Sequence, residues 1–169
     1  MLNLTTLGLL AILSFSAAAE PLSTTLNYRE INPSLLSSGQ ISQAQVASLK
    51  EADIDLVINL TMEASEENAQ EGYAITKIGI DYVHIPVPWS APTQENLALF
   101  FGLMDLARDR KVLVHCYANY RASAFVYLYR RTVLNVSEAE ARPDLDAVWS
   151  TEDWTKYPQW AAFIQSTIN

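Results

Sequence analysis

One short segment of the chain combines a nucleophile with an anion-binding side chain. Cys116 is followed by Arg121, with four residues between them. A cysteine thiolate is a strong nucleophile, and an arginine guanidinium is a planar fork that matches two oxygens of a phosphate group. This pairing predicts covalent phosphoryl transfer, in which Cys116 attacks phosphorus and a phosphocysteine forms.

The elements around this segment are expected to build an anion site. The apolar run Lys111-Val112-Leu113-Val114 predicts a buried strand, and Ala122 to Asn135 predicts a helix. Free N–H groups and the dipole at the start of such a helix face the intervening loop, where they favour a bound anion and the thiolate form of Cys116. The residues predicted to contact the substrate are His115, Tyr117, Ala118, Asn119, Tyr120 and Ala122.

The segment resembles the signature His-Cys-x5-Arg-(Ser/Thr) of the protein tyrosine and dual-specificity phosphatases, in a bacterial branch with a loop one residue shorter. The glycine usual in the middle of that loop is replaced by Asn119, a residue type that tolerates a positive φ. The resemblance extends from about Tyr28 to Phe163. The other stretches that carry it are Ser38-Gly39-Gln40, Val57-Ile58-Asn59-Leu60 and His84-Ile85-Pro86-Val87.

The resemblance implies roles for the residues beside the nucleophile. His115 would hydrogen-bond the loop and help to keep Cys116 ionised. Ser123 would hydrogen-bond the sulfur and help the thiolate leave in the second step, although a serine in the first turn of a helix also has an ordinary structural explanation. The resemblance further implies a reaction that requires no metal ion and no other cofactor.

The proton donor for the leaving oxygen is the hardest role to assign from the sequence. Related phosphatases keep an aspartate on the loop after the third-strand position, but here that loop, residues 86–92, contains no carboxylate. Glu95 in the next helix is the nearest candidate, although a glutamate there also complements the helix dipole. Glu63, Glu66 and Glu67, which follow another strand, are alternatives. If no acid is well placed, aryl phosphates such as phosphotyrosine should react better than alkyl phosphates.

Two other functions are compatible with the same residues. A rhodanese-like sulfurtransferase also places a reactive cysteine in a short loop after a strand and would carry a persulfide on Cys116. A non-catalytic domain that only binds phosphate groups would fit the shortened loop and the missing glycine. The His-Cys pair, together with Arg121 and Ser123, favours the phosphatase.

Composition limits the partners. The 169 residues suffice for one domain with a hydrophobic core. A formal net charge of -8 argues against binding to nucleic acid or to an anionic membrane surface, so the expected partner is a phosphorylated protein or a small phosphate ester. With two histidines, one cysteine and no close ligand spacing, neither a zinc site nor an internal disulfide is predicted.

Residues 1–19 have the pattern of a secretory signal peptide. They contain no charged side chain, Leu7 to Phe15 is apolar, and Ala17-Ala18-Ala19 before Glu20 fits cleavage after small residues. The apolar run is too short to span a membrane. We therefore expect residues 20–169 to form a phosphatase-like domain that is periplasmic or secreted, with no stable membrane insertion after cleavage.

Strand and helix patterns alternate along the rest of the chain. This alternation predicts a single α/β domain with a mostly parallel central sheet of four to five strands, flanked by helices on both faces, and a site at the carboxyl ends of the strands. The predicted strands are Ser34 to Ser38, Ile54 to Leu60, Tyr82 to Val87 and Lys111 to His115. The predicted helices are Ser42 to Ala52, Glu66 to Gly79, Thr93 to Asp109, Ala122 to Asn135, Ser137 to Trp149 and Pro158 to Ile168.

Overall fold

The computed structural model describes residues 19–62 and 66–168, and all elements named below lie in these ranges. The five strands are β1 (Arg29–Asn32), β2 (Leu35–Ser38), β3 (Leu56–Asn59), β4 (Asp81–His84) and β5 (Val112–His115). They form one sheet in the order β1-β2-β5-β3-β4. β1 pairs with β2 in antiparallel orientation, and the other pairings are parallel.

Seven helices in the described ranges cover this sheet. They are α1 (Val46–Glu51), α2 (Glu66–Lys77), α3 (Gln94–Leu106), α4 (Tyr120–Thr132), α5 (Glu138–Asp146), α6 (Thr151–Lys156) and α7 (Pro158–Ile168). Several begin where the sequence predicts. The Thr93 side chain accepts a hydrogen bond from Asn96 N at the start of α3, and Ser42 forms a capping box with Gln45 before α1.

The pleat of β5 explains how its residues reach two cores. Val112 and Val114 pack with α3, α4 and α7 in the larger core, whereas Leu113 packs with α1 and α2 on the other face. A strand buried on both faces is a continuous apolar run in sequence, as seen here. By the same alternation His115 follows Leu113 onto the α2 face, while Cys116 belongs to the larger core.

The predicted fold is confirmed: a single α/β domain with a mostly parallel five-stranded sheet and helices on both faces. The sequence missed β1, whose Arg-Glu-Ile-Asn run is a half-exposed antiparallel edge, and it missed the short helix α6. The predicted strands are longer than the observed ones by one to three residues. No helix in the described ranges has the length and apolarity to cross a bilayer. The predicted signal peptide falls almost entirely on residues 1–18, outside the described residues.

Candidate active site

The loop between β5 and α4 lies at the centre of the sheet. β5 is flanked by β2 and β3, so Cys116 emerges at the carboxyl edge between two neighbouring strands. The Cys116 N–H donates to Ser38 O over 3.3 Å. α4 starts at Tyr120, and Ser123 N donates to Asn119 O over 2.8 Å at the first turn of the helix. The N–H groups before Ser123 therefore have no carbonyl of their own helix to bind and are available to an anion.

Asn119 fixes the path of the loop. It has the positive φ of 67° that the sequence predicts, and it is fully buried. Its side-chain Nδ2 donates to Asn27 O over 2.6 Å and to Ser37 Oγ over 3.1 Å. Asn27 in turn donates from its own Nδ2 to Ala118 O over 3.0 Å. The two asparagines therefore clamp the loop to the segment before β1.

Gly39 allows the neighbouring chain to approach this loop. Gly39 and Ala118 form an antiparallel bridge, and Gln40 N donates to Tyr117 O over 3.1 Å. A Cβ at position 39 would lie 2.9 Å from Leu26 O and 3.0 Å from Tyr117 O, closer than a side chain permits. The Ser38-Gly39-Gln40 stretch thus supports one side of the loop through its backbone.

Cys116 and Arg121 line the same pocket, which has a volume of about 550 Å³. The thiol is almost completely buried, yet it contributes to the pocket wall. The two side chains that the sequence analysis paired are thus both among the residues of this lining. The full lining consists of Gln40, Thr61, Asn68, Trp89, Cys116, Tyr117, Ala118, Tyr120, Arg121 and Tyr157.

The Arg121 guanidinium is a buried cation without a counter-ion among the described residues. The residue is 7% exposed, and its Nε has no hydrogen-bond partner in the described parts of the chain. Its Cζ lies 5.4 Å from the centroid of the Trp89 ring, a cation–π contact that holds the fork against the pocket wall. A buried positive charge with free donors is a site prepared for an anion.

Aromatic rings line the pocket beside Arg121. The centroid of Trp89 lies 4.9 Å from that of Tyr157 and 6.0 Å from that of Tyr120, in edge-to-face geometry with both. Trp89 belongs to the loop after β4, and its carbonyl accepts from Trp160 Nε1 over 3.0 Å, which ties that loop to α7. Burial raises the pKa of Tyr120, and the charge of Asp153 raises it further. In related phosphatases this loop carries an aspartate, whereas here it places the Trp89 side chain in the pocket.

His115 contacts a buried carboxylate that the sequence analysis missed. Its Nε2 lies 2.9 Å from Glu71 Oε1, and both side chains are buried. Glu71 also accepts hydrogen bonds from Gln40 Nε2 and from the Tyr82 hydroxyl, the latter over 3.0 Å. The signal in the sequence was the inward stripe of α2, where Asn68 and Glu71 fall on the same face as Ile75.

The other predicted site residues lie at different distances from the pocket. Tyr117, Ala118 and Tyr120 line it, while Asn119 supports it and Ala122 is buried at the start of α4. The Ser123 hydroxyl donates to Tyr120 O over 3.1 Å and accepts from Trp149 Nε1 over 3.2 Å. The structure therefore places this hydroxyl on the helix turn rather than on the Cys116 sulfur.

No carboxylate of the described residues lines the pocket. Glu95 is exposed in the first turn of α3 and is not among the lining residues. Glu66 is exposed at the start of α2, whereas Glu63 and the side chain of Glu67 lie outside the described parts of the chain. Within residues 19–62 and 66–168, no group of three His, Cys, Asp or Glu side chains is placed to hold a metal ion.

This fold and this pocket define a cysteine-dependent phosphatase of the protein tyrosine and dual-specificity class. The model of a family described as DSP-PTPase phosphatase fused to NAD+ kinase matches residues 17–159. The chain belongs to this family, which confirms the resemblance seen in the sequence and makes the protein a phosphatase. No curated protein matches the chain.

Solved structures agree with this assignment. A structure described as a phosphatase of the DUF442 group, from Shewanella putrefaciens CN-32, is 39% identical, covers 86% of this chain and 91% of its own, and superposes with a TM-score of 0.74. TpbA from P. aeruginosa, solved as a variant in complex with pTyr, is 15% identical over 92% and 96% of the two chains, with a TM-score of 0.67. The core catalytic domain of the PP-IP phosphatase SIW14 from S. cerevisiae is 13% identical over 87% and 86%, with a TM-score of 0.68. The last two share the fold.

Proposed function

We propose that this protein hydrolyses phosphate monoesters through a phosphocysteine on Cys116, with aryl phosphates such as phosphotyrosine as the preferred class. The observation that carries the proposal is the pocket shared by Cys116 and the buried guanidinium of Arg121, which forms no ion pair with any residue that the structure describes. The thiolate supplies the nucleophile, and the guanidinium with the free N–H groups of α4 supplies the positive environment for a phosphoryl group.

The reaction has two displacement steps. In the first, the Cys116 sulfur attacks phosphorus, the S–P bond forms and the ester P–O bond breaks, so that the aryl oxygen leaves as a phenolate and then takes a proton from water. In the second, water attacks phosphorus, the S–P bond breaks, and inorganic phosphate is released with the thiolate restored. Arg121 binds two phosphoryl oxygens throughout and favours the transition state, in which charge spreads over those oxygens.

The preference for aryl esters rests on the pocket wall. None of the described lining residues is a carboxylate that could protonate the leaving oxygen. A phenolate has a conjugate-acid pKa of about 10, so it leaves with far less help from a proton donor than an alkoxide does. The rings of Trp89, Tyr120 and Tyr157 also offer faces and edges on which an aryl group can pack. TpbA from P. aeruginosa, which shares this fold, was solved in complex with pTyr, and this supports the proposed class of ligand.

The test is turnover of para-nitrophenyl phosphate with and without vanadate, beside Cys116→Ser and Arg121→Lys. We expect vanadate-sensitive turnover that disappears in Cys116→Ser and falls by about a hundredfold in Arg121→Lys, which loses the bidentate fork. Tyr73→Phe, an exposed change on α2 outside the pocket, is the control variant. Turnover that survives Cys116→Ser would remove the mechanism.

A series of leaving groups tests the substrate class. We expect kcat/KM to fall steeply from nitrophenyl through phenyl to alkyl phosphates, and phosphotyrosine peptides to react faster than phosphoserine peptides of the same sequence. Equal rates on both peptides would refute the aryl preference. Thiosulfate:cyanide transfer, or phosphate binding without release from any ester, would instead support the sulfurtransferase or the binding domain.

We also propose that the protein is exported and that its mature chain begins near Glu20. Glu20 N donates to Ala44 O over 3.2 Å, and Glu20 O accepts from Ser48 Oγ over 2.7 Å. A chain that starts at Glu20 would keep both contacts with the folded domain. N-terminal sequencing of the protein from a periplasmic extract tests this, and an uncleaved chain in the cytoplasm would contradict it.

A further inference from the structure

Three large apolar side chains are exposed beside the catalytic loop. Leu26 is 57% exposed, Met62 is 47% exposed and Tyr117 is 73% exposed. Tyr117 lines the active-site pocket, and Met62 directly follows the lining residue Thr61. Single exposed apolar residues are common on protein surfaces, whereas a group of them at the edge of a pocket marks a contact surface. Leu26, Met62 and Tyr117 together form the rim surface.

Leu26 stands at the tip of a turn, where an apolar residue is unusual. Tyr28 N donates to Thr25 O over 3.1 Å, and Asn27 has a positive φ of 52°, so residues 25–28 form a β-turn. Such positions favour Gly, Pro, Asn, Asp and Ser. Leu26 belongs to neither of the two hydrophobic cores. The stability of the fold therefore does not explain a leucine at this position.

The turn is held against the catalytic loop. Leu26 O accepts from Gly39 N over 2.8 Å, and Asn27 Nδ2 donates to Ala118 O over 3.0 Å. A Cβ at Gly39 would lie 3.1 Å from Leu26 Cβ and 3.0 Å from Tyr117 O. The glycine thus lets the turn and the loop approach each other closely. As a result, Leu26 and Tyr117 are neighbours whose backbones are fixed relative to the pocket.

The segments around the rim surface carry no charge. Residues 21–28, 36–43 and 116–120 contain no Asp, Glu, Lys or Arg, although the whole chain has 19 acidic and 11 basic residues. A charged side chain that docks on these segments would lose hydration without gaining an ion pair from them. An apolar side chain loses no such hydration and gains from burial. The rim surface therefore favours an apolar partner over a charged one.

We propose that the rim surface binds an apolar side chain of a phosphotyrosine peptide, one or two residues away from the phosphotyrosine. This inference rests on the proposed function, because the phosphotyrosine in the pocket is what brings the peptide to the rim. An extended chain spans about 3.3–3.6 Å per residue, so only the nearest flanking residues reach side chains that adjoin the loop. The substrate is then a phosphoprotein, and an apolar neighbour of the phosphotyrosine determines specificity.

Pairs of phosphotyrosine peptides test the rim surface. The two members of a pair differ only by leucine or serine at one flanking position, and four pairs cover the two positions on either side. At one or more positions we expect kcat/KM to be about fivefold higher for the leucine peptide, since half-burying a leucine recovers part of its full transfer free energy. Equal kcat/KM values in all four pairs would overturn the proposal.

Variants at Leu26 locate the effect on the protein. Leu26→Ser should bring the ratio of the two kcat/KM values close to one, whereas Leu26→Met keeps an apolar side chain and should keep the preference. Leu106→Ser, the same change at a leucine that is 85% exposed at the end of α3, should leave the ratio as it is. para-Nitrophenyl phosphate has no flanking residue and reports the pocket alone. If Leu26→Ser lowers its turnover as much as that of the leucine peptide, Leu26 acts on the loop and the proposal is refuted.

Peptide binding separates this proposal from the proposed function. Fluorescence anisotropy measures the affinity of Cys116→Ser for labelled leucine and serine peptides without turnover. If the wild-type protein hydrolyses no ester, but Cys116→Ser binds the leucine peptide about fivefold more tightly and loses this preference with Leu26→Ser, the proposed function fails and the role of the rim surface stands. If the protein is an active phosphatase without any such preference, the role of the rim surface fails alone.

A second copy of the chain is the competing occupant. Sedimentation of the wild-type protein and of Leu26→Ser detects it. A wild-type dimer that becomes a monomer in Leu26→Ser, with both peptides unaffected, would assign the rim surface to self-association and overturn the proposal. We expect the same oligomeric state for both proteins.

Discussion

Asn119 allows the backbone and the side-chain contributions to the loop to be measured separately. Asn119→Gly keeps the positive φ of 67° but loses the hydrogen bonds to Asn27 O and Ser37 Oγ. Asn119→Ala loses the same bonds and also forces a Cβ into the left-handed region. The difference between the two variants therefore isolates the backbone conformation, and the glycine variant alone isolates the side chain.

The structure gives the size of both effects. Two hydrogen bonds at about 1 kcal/mol each predict that Asn119→Gly lowers the free energy of unfolding by about 2 kcal/mol. Oδ1 of Asn119 is buried without a partner among the described residues, so removing it offsets part of this loss. Placing alanine in the left-handed region costs a further 1–2 kcal/mol or so, which predicts about 3 kcal/mol for Asn119→Ala. Alanine should therefore be the more damaging change.

Urea denaturation followed by tryptophan fluorescence measures these energies, and vanadate inhibition measures the shape of the loop. Asn135 supplies the matched control, since it also has a positive φ, of 54°, but is exposed after α4 and does not line the pocket. Asn135→Gly should change stability by less than about 0.5 kcal/mol and leave inhibition unchanged. If Asn119→Ala is as stable as Asn119→Gly, the reasoning about the left-handed loop is wrong.

Three further changes test other parts of the structure. Gly39→Ala should lower the free energy of unfolding by about 1–3 kcal/mol, because its Cβ would lie 2.9 Å from Leu26 O; an unchanged urea midpoint would contradict this. Trp89→Ala should raise the KM for para-nitrophenyl phosphate about tenfold, and Trp89→Phe about threefold, because the ring lines the pocket; steady-state kinetics decide this, and an unchanged KM would remove the aromatic wall as a binding surface. Asp153→Asn should destabilise the protein at neutral pH but not in strong acid. Burial raises the pKa of Asp153, but hydrogen bonds from Ser150 lower it more, so the stabilisation is present above the ordinary pKa of 3.8 and is lost as the pH falls through the lower folded value. Thermal unfolding of both proteins across pH measures this, and a difference that persists in acid would refute it.

Features set by neighbours in the sequence were predictable. The strand before Cys116 is a continuous apolar run because both of its faces are buried, and Asn119 occupies a position where few residue types tolerate the backbone. Thr93 and Ser42 precede helices because their side chains accept the free N–H groups there. In each case the physical cause lies within a few residues of the effect.

Features set by packing between distant segments were not predictable. Glu71 is a glutamate on a helix, a residue that is almost always exposed. Only the packing of α2 against the sheet, along β4, buries it against His115. Tyr157 follows a helix of six residues that the sequence pattern did not reveal. It reaches the pocket because α6 packs on α7, which in turn packs on α4. The stripe of Asn68, Glu71 and Ile75 was the available signal, and a carboxylate in such a stripe marks a candidate for a buried network.

The charge of the pocket differs in sign from the charge of the whole chain. A formal net charge of -8 repels polyanions at long range, whereas Arg121 and the start of α4 attract a phosphate group once it is inside the pocket. A ligand with one phosphate and an uncharged aromatic group is attracted by Arg121 and is only weakly repelled by the negative charge of the whole chain. An inositol polyphosphate or a nucleic acid would be attracted by Arg121 in the same way, but its additional negative charges would be repelled by the chain. The same argument explains why the positive charge must be buried: on the surface it would be screened by salt and outweighed by the acidic residues around it, but in the pocket it acts at short range and with few competing waters.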